Sequence, residues 1–220
     1  METFKYTNNG IMLYLLWYNR MMPKNQLRIL DLFRRNIFTS KTIRGISITI
    51  KKSYPKVYEA VDELEKKKVI NVRKVGNAKV CELNLSKDTI SIFSFLDEQE
   101  AISKNIPHML KIIEFKDFRD DVILVGGSYA KGKQTSKSDV DVLIITKTDV
   151  LQKQRLIENL TKLFLPKVHP VVVSYKDFID MLLDKNENYG KEIFRNKLLF
   201  KNSERYYDFI KEAIENGFRG

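Results

Sequence analysis

A glycine-rich turn precedes two closely spaced aspartates in the stretch GGSYAKGKQTSKSDVDVLI, residues 126–144. Gly127 and Ser128 follow the apolar run 122–125. Glycine lets the backbone approach a ligand closely, and amides at the start of a following helical turn carry partial positive charge. This turn is therefore predicted to bind phosphate.

Asp139 and Asp141 begin a second apolar run, 140–145, which is predicted to be a strand. Side chains alternate along a strand, so both carboxylates face the same side. Adjacent carboxylates repel each other unless a cation lies between them. Mg²⁺ binds through one or two carboxylates together with substrate phosphates. The predicted order of strand, turn, short helix or loop, and strand thus brings a phosphate site and a magnesium site together.

The motif Gly127-Ser128, followed after ten residues by Asp139-Val140-Asp141, resembles the signature of polymerase-β-like nucleotidyltransferases, in particular the minimal nucleotidyltransferases. The resemblance covers about residues 100–206. It implies an α/β domain with a small mixed sheet flanked by helices. It also implies a reaction that uses an NTP such as ATP with Mg²⁺ and releases pyrophosphate after in-line transfer. Matched by position, it assigns phosphate binding to Gly127, Ser128, Lys131 and Lys133, and metal binding and catalysis to Asp139 and Asp141.

A third carboxylate on the next core strand is usual in this family, but the strand KVHPVVVS, residues 167–174, contains no Asp or Glu. His169 stands at the aligned position. We expect His169 either to act as a base in the site or to be structural, and Asp177 and Asp180 are further candidates for the missing group. Nucleotide binding can persist in such a site even where transfer is slow or lost.

Positive charge is concentrated in the first part of the chain. Residues 1–86 contain 17 Lys+Arg against 7 Asp+Glu, whereas residues 87–220 contain 22 against 21. A basic region of this kind is typical of a protein that binds a polyanion. The alternative is a solvated basic surface with no binding partner.

The basic half is predicted to contain three helices and a hairpin. Leu27, Leu30 and Phe33 form a helical stripe, a short helix begins near Thr42, and a third helix follows Ser53. The periodicity then changes to two over residues 69–85, with a turn at Gly76-Asn77.

This order resembles a winged helix-turn-helix domain, in which the third helix enters the DNA major groove and the wing touches the backbone. The resemblance implies double-stranded DNA as a partner, and a homodimer is one expected assembly. It assigns DNA contacts to Lys51, Lys52, Lys56, Tyr58, Arg73, Lys74 and Lys79. The alternative is a winged helix used for protein contact or dimerisation, because four acidic residues occupy the rest of the third helix.

The expected organisation is α+β, with an N-terminal extension (1–22), a winged-helix domain (23–90) and a nucleotidyltransferase-like domain (91–220). One cysteine, Cys81, excludes an internal disulfide and favours the cytoplasm. The apolar run 11–18 is too short to span a membrane.

The leading hypothesis is a DNA-associated nucleotidyltransferase with an unknown acceptor, either protein or nucleic acid. One alternative is a transcriptional regulator whose second domain senses nucleotide or is inactive. The other is an antitoxin-like modifier of a partner protein.

Overall fold

The computed structural model of the protein describes residues 22–220, which divide into two compact units between Ser86 and Lys87. The extension predicted for residues 1–22 lies outside the described residues apart from Met22. Within residues 22–220, none of the helices combines the length and the apolar character that a membrane span requires.

The first unit is built from helices and a three-stranded antiparallel sheet with strand order β1-β3-β2. Its elements are α1 (Lys24–Arg35), β1 (Ser40–Thr42), α2 (Ile43–Thr49), α3 (Tyr54–Lys66), β2 (Ile70–Val75) and β3 (Ala78–Leu83). Three helices followed by a hairpin that pairs with a strand before α2 is the winged helix-turn-helix topology, and the predicted fold of this half is confirmed.

The core of the first unit follows from local sequence patterns. α1 buries Ile29, Leu30 and Phe33, so its apolar stripe is rotated relative to the predicted one, and Leu27 is only half-buried. The wing turns at Gly76, whose φ of +57° is a left-handed conformation that glycine adopts without strain. The hairpin therefore forms where the sequence predicted it.

The second unit contains a four-stranded mixed sheet flanked by helices, with strand order β6-β5-β4-β7. Its elements are α4 (Lys87–Ser103), α5 (Met109–Ile113), a 3-10 turn (Lys116–Phe118), β4 (Val122–Val125), α6 (Gly127–Ala130), β5 (Val140–Thr146), α7 (Val150–Thr161), β6 (Val168–Ser174), α8 (Tyr175–Leu183), α9 (Tyr189–Arg195), β7 (Leu198–Lys201) and α10 (Ser203–Glu215). β5 and β6 run parallel, whereas β4 is antiparallel to both β5 and β7. The predicted small mixed sheet with helices is confirmed.

The two central strands are buried in the apolar core. All four residues of β4 are buried, and Asp141 is the one position of β5 that is not. A carboxylate near the start of an otherwise buried strand loses part of its hydration. Such a partly buried charge is tolerated only where the carboxylate gains a compensating interaction. Asp141 therefore stands out from β5 as a candidate functional residue.

Helix α7 is held against the sheet by polar side chains. Lys153 Nζ lies 2.6 Å from Asp121 Oδ2 and donates to Thr146 Oγ1 at 2.9 Å in a largely buried ion pair. On the next residue, the Gln154 amide donates to the carbonyl of Pro170 at 2.9 Å and accepts from the Val172 amide at 2.8 Å. The Gln154 bonds fix α7 to β6, the strand that carries His169.

Candidate functional site

The Gly126–Ser128 turn is packed directly against the aspartates. The Gly126 amide donates to the Asp141 carbonyl at 2.9 Å. Gly127 has a φ of +58°, and a Cβ atom at this position would lie 1.8 Å from Asp141 Oδ2. Both the backbone conformation and the space thus require glycine at position 127, and the turn and the carboxylate share one site.

The amides of this turn are available to an anion. The first hydrogen bond of α6 runs from the Ala130 amide to the Gly126 carbonyl at 3.2 Å, so the amides before it lie outside the helical ladder. Ser128 is half-buried, whereas Lys131 and Lys133 are exposed beyond the helix. This arrangement suits a phosphate group at the turn.

The two aspartates project beside the turn with partly exposed side chains, 35% for Asp139 and 37% for Asp141. Burial raises the pKa of Asp141; the nearby His169 opposes this rise, and the negative charges of Asp139 and Glu192 add to it. The carboxylate charge is therefore incompletely balanced by the protein. Such a site favours a bound cation.

His169 lies next to both aspartates. It is the register partner of Asp141 across the parallel β5–β6 pair. Its Nε2 is 3.2 Å from Asp139 Oδ2, and its Nδ1 is 3.8 Å from Asp141 Oδ1. The structure thus brings together the three side chains that the sequence proposed for catalysis.

The donor set fits a magnesium ion held chiefly by two carboxylates. Within residues 22–220, no three or more His, Cys, Asp or Glu side chains are grouped so that they would share a metal ion. Asp139 and Asp141 supply hard oxygen donors, and Mg²⁺ commonly takes one or two carboxylates and completes its shell with phosphate oxygens and water. The remaining ligands would therefore come from a nucleotide.

Helix α9 contributes residues that the sequence analysis did not identify. A Cβ atom on Gly126 would lie 2.4 Å from Ile193 Cδ1 and 3.9 Å from the Tyr189 hydroxyl, so α9 packs onto the glycine turn. Burial, together with the charges of Asp141 and Glu192, raises the pKa of Tyr189 to about 12. Tyr189 is therefore a neutral hydroxyl at the border of the site.

Glu192 on α9 is paired with a predicted phosphate ligand. Lys131 Nζ lies 2.7 Å from Glu192 Oε1. Both side chains are substantially exposed, so the pair contributes little to stability and can exchange partners. A phosphate at the turn would compete with Glu192 for Lys131.

Asp177, one candidate for the missing carboxylate, serves a local structural role. Its backbone amide donates to Ser174 Oγ at 3.0 Å, and Ser174 Oγ donates to Asp177 Oδ2 at 2.6 Å. This reciprocal pair caps the start of α8. Asp180 is exposed on the same helix.

The predicted DNA-binding residues all lie on the surface of the first unit, around the start of α3 and on the wing. Lys79 of the wing donates to the Tyr58 hydroxyl of α3 at 2.6 Å, and its Nζ lies 4.5 Å from the ring centroid. Arg73 Nη2 lies 2.8 Å from Glu82 Oε1. Lys79 thus joins the wing to α3, and the charge of Arg73 is partly neutralised.

Replacement of Gly127 tests the contact between the turn and Asp141. If the turn binds the phosphates of a nucleotide, Gly127→Ala should weaken binding of the Mg²⁺-nucleotide by at least about tenfold, because the new methyl group must displace the carboxylate. Gly132→Ala is a matched control, since Gly132 also has positive φ, +64°, but its Cβ would meet nothing within 4 Å. Calorimetric titration of both variants measures the difference. Equal losses in the two variants would show that backbone strain alone matters.

The second unit is similar to known proteins, both to a protein family and to an individual relative. A family model described as "Nucleotidyltransferase domain" matches residues 106–214. A proposed protein adenylyltransferase from Methanocaldococcus jannaschii is 39% identical over 84 residues, which cover 36% of this chain and 82% of the relative.

Two solved structures of other proteins each align with about half of the chain. MepR, a transcription regulator of the Staphylococcus aureus multidrug efflux pump MepA, is 18% identical, with coverage of 50% of this chain and 92% of its own and a TM-score of 0.33. A homodimeric winged helix-turn-helix DNA-binding domain from Mycobacterium bovis is 13% identical, with coverage of 49% and 95% and a TM-score of 0.32.

Proposed function

The chain belongs to the nucleotidyltransferase domain family, and from this we propose that it transfers a nucleotidyl group from a nucleoside triphosphate to an acceptor hydroxyl. The observation that carries the proposal is the packing of Gly127 against Asp141 with Asp139 and His169 alongside. A phosphate-binding turn and a pair of carboxylates in contact provide what in-line phosphoryl chemistry requires: positioning and charge stabilisation.

Each residue then has a defined role in transfer. The amides of Gly127 and Ser128 hold the β- and γ-phosphates, and Lys131 and Lys133 neutralise their charge. The acceptor oxygen attacks the α-phosphorus, the bond from that phosphorus to the β-bridging oxygen breaks, and pyrophosphate leaves. The proton of the acceptor hydroxyl passes to His169.

Asp139 and Asp141 are the residues that would hold magnesium. When bound there, Mg²⁺ would neutralise charge on the phosphates and stabilise the charge that develops during transfer. The two carboxylates also orient His169, whose ring nitrogens face them at 3.2 and 3.8 Å.

ATP and a protein acceptor are the substrates we propose first. The support is the name of the Methanocaldococcus jannaschii relative, a proposed protein adenylyltransferase. An antitoxin-like modification of one partner protein is a specific form of this reaction. Incubation with each of the four α-labelled NTPs, Mg²⁺ and cell extract identifies the base and the class of acceptor.

A second candidate function is a DNA-binding regulator whose nucleotidyltransferase domain senses nucleotide without transfer. The position of His169 favours it, because an imidazole faces the aspartates where a third carboxylate would otherwise lie. Binding of Mg²⁺-nucleotide is common to both candidates, so only transfer distinguishes them.

We propose double-stranded DNA as the partner of the first unit. Support comes from the winged-helix topology and from the basic residues exposed around α3 and the wing. Tyr58, which accepts a hydrogen bond from Lys79, lies on the same surface. A homodimer would place two such surfaces on successive half-sites of DNA.

The salt dependence of DNA affinity tests this surface. If four to six basic side chains neutralise phosphates, the logarithm of the affinity should fall against the logarithm of salt concentration with a slope of about −4 to −5. Lys52→Ala should flatten the slope by about one, whereas Lys104→Ala, an exposed lysine of the second unit, should leave it unchanged. Equal effects of both changes, or no binding at low salt, would contradict the assignment.

A further inference from the structure

A groove of about 170 Å³ opens between the end of α7 and the start of β6. Its lining residues are Glu158, Thr161, Lys162, Lys167, Val168, His169 and Pro170. His169 belongs both to this groove and to the aspartate site, because its Nε2 lies 3.2 Å from Asp139 Oδ2. The groove and the aspartate site therefore adjoin each other at His169.

The groove presents unneutralised positive charge. Lys162 and Lys167 are exposed, and neither forms an ion pair within residues 22–220. The acidic residue of the wall, Glu158, accepts a hydrogen bond from Gln154 Nε2 at 2.7 Å. The two ammonium groups outnumber the one carboxylate of the wall, and this net positive charge favours an anionic ligand.

The segment between α7 and β6, residues 162–167, also exposes apolar side chains. Leu163 is 88% exposed and Leu165 is 80% exposed. The segment is nevertheless anchored, because Phe164 packs against the core and stacks on His108 with ring centroids 4.3 Å apart. The His108 ring also bonds the Leu165 carbonyl at 2.9 Å. The exposed leucines therefore lie on an anchored segment that also carries the two exposed lysines.

We propose that the groove and the segment 162–167, together the acceptor surface, dock an acidic polypeptide segment that presents its hydroxyl to His169. This inference rests on the proposed transferase function and names the acceptor chemistry. Lysines match acidic side chains, and exposed leucines match apolar side chains of a protein. A single-stranded nucleic acid would instead need aromatic platforms for its bases, which leucines do not provide.

The docked segment supplies the acceptor hydroxyl of the transfer reaction. Its serine, threonine or tyrosine hydroxyl reaches the α-phosphorus past His169, which takes the proton as pyrophosphate leaves. The product is a phosphodiester bond between the acceptor side chain and the nucleotide. Acidic residues flanking the hydroxyl remain on Lys162 and Lys167 throughout.

Binding of a fluorescein-labelled random copolymer of glutamate and tyrosine tests the acceptor surface in the full chain. The test variant is Lys162→Glu/Lys167→Glu. The matched control is Lys176→Glu/Lys185→Glu, which changes the net charge equally at exposed lysines outside the groove. We expect the test variant to bind the copolymer about tenfold or more weakly than the control by anisotropy. We also expect the copolymer to slow amide hydrogen exchange in residues 158–171 of the unaltered protein.

Equal affinity of the two variants, or protection only outside residues 158–171, would overturn the acceptor surface. Protection of these residues by a single-stranded oligonucleotide, with none by the copolymer, would replace the protein acceptor by a nucleic acid. Mg²⁺-ATP titration of both variants separates this test from the proposed function. Absence of Mg²⁺-ATP binding in the unaltered protein would contradict the function, whereas equal copolymer binding by the two variants, with Mg²⁺-ATP binding retained, contradicts only the docking surface.

Discussion

Asp141→Asn should abolish the magnesium dependence of nucleotide binding and lower nucleotidyl transfer by about 10³-fold or more. The change keeps the size of the side chain but removes the charge that a divalent cation requires. Asp141 also lies against Gly127, so the carboxylate that would hold the metal also contacts the proposed phosphate-binding turn. Asp139→Asn should act similarly, because Asp139 supplies the second carboxylate.

Calorimetric titration with ATP, with and without Mg²⁺, measures the binding part of this prediction. Asp208→Asn is the matched control, because Asp208 is an exposed aspartate of α10 with no proposed role in the site, and the variant should retain full metal dependence. If Asp141→Asn kept both the metal dependence and the transfer rate of the unaltered protein, the metal site would have to lie elsewhere.

His169→Asp is expected to raise the transfer rate, by up to about 10²-fold, with Mg²⁺-nucleotide affinity similar or tighter, because an aspartate keeps a proton acceptor at this position and adds a carboxylate ligand for the metal. The β5–β6 register places position 169 beside Asp141, so an aspartate there would supply a third carboxylate to the site. That group can hold the metal and help to deprotonate the acceptor.

His169→Asn is the matched control, because it keeps a polar side chain but supplies neither a carboxylate nor an imidazole. His169→Asn should lower the rate, because it removes the proton acceptor at position 169. If His169→Asp lowers the rate as well, the imidazole is a better base there than a carboxylate, and the pH profile of transfer should shift. A rise with Asp and no rise with Asn would show that the natural site is limited by its missing carboxylate.

The chemical motif could be predicted from the sequence because its residues are close along the chain. Gly127, Asp139 and Asp141 lie within 15 residues, and the strand period alone places the two carboxylates on one side. His169 was found through the resemblance to a family in which the next strand carries a carboxylate. The parallel β5–β6 register then confirmed that it is the neighbour of Asp141.

The contribution of α9 could not be predicted in the same way. Tyr189, Glu192 and Ile193 come from a short helix whose sequence has no motif, and only tertiary packing brings them to the glycine turn. The Lys131–Glu192 pair joins residues 61 positions apart. Local periodicity contains no information about contacts at that separation.

The sequence pattern likewise could not predict which residues of an amphipathic helix face the core when the helix is slightly rotated. In α1, the sequence favoured Leu27 for the core, whereas the structure buries Gln26, whose side chain accepts a hydrogen bond from Lys67 at 3.3 Å. A long polar side chain with a partner can replace an apolar residue at a core boundary. The helix itself was correctly predicted, since its other apolar residues fix the period.

The measurement that tests the central claim most directly is transfer of label from α-³²P-ATP to acceptor in cell extract, with pyrophosphate counted in the same reaction. We expect the unaltered protein with Mg²⁺ to label an acceptor and to release one pyrophosphate for each label. Asp141→Asn should do neither. If the protein binds Mg²⁺-nucleotide yet neither it nor His169→Asp transfers label from any of the four NTPs, the domain is a nucleotide sensor and the transferase account is wrong.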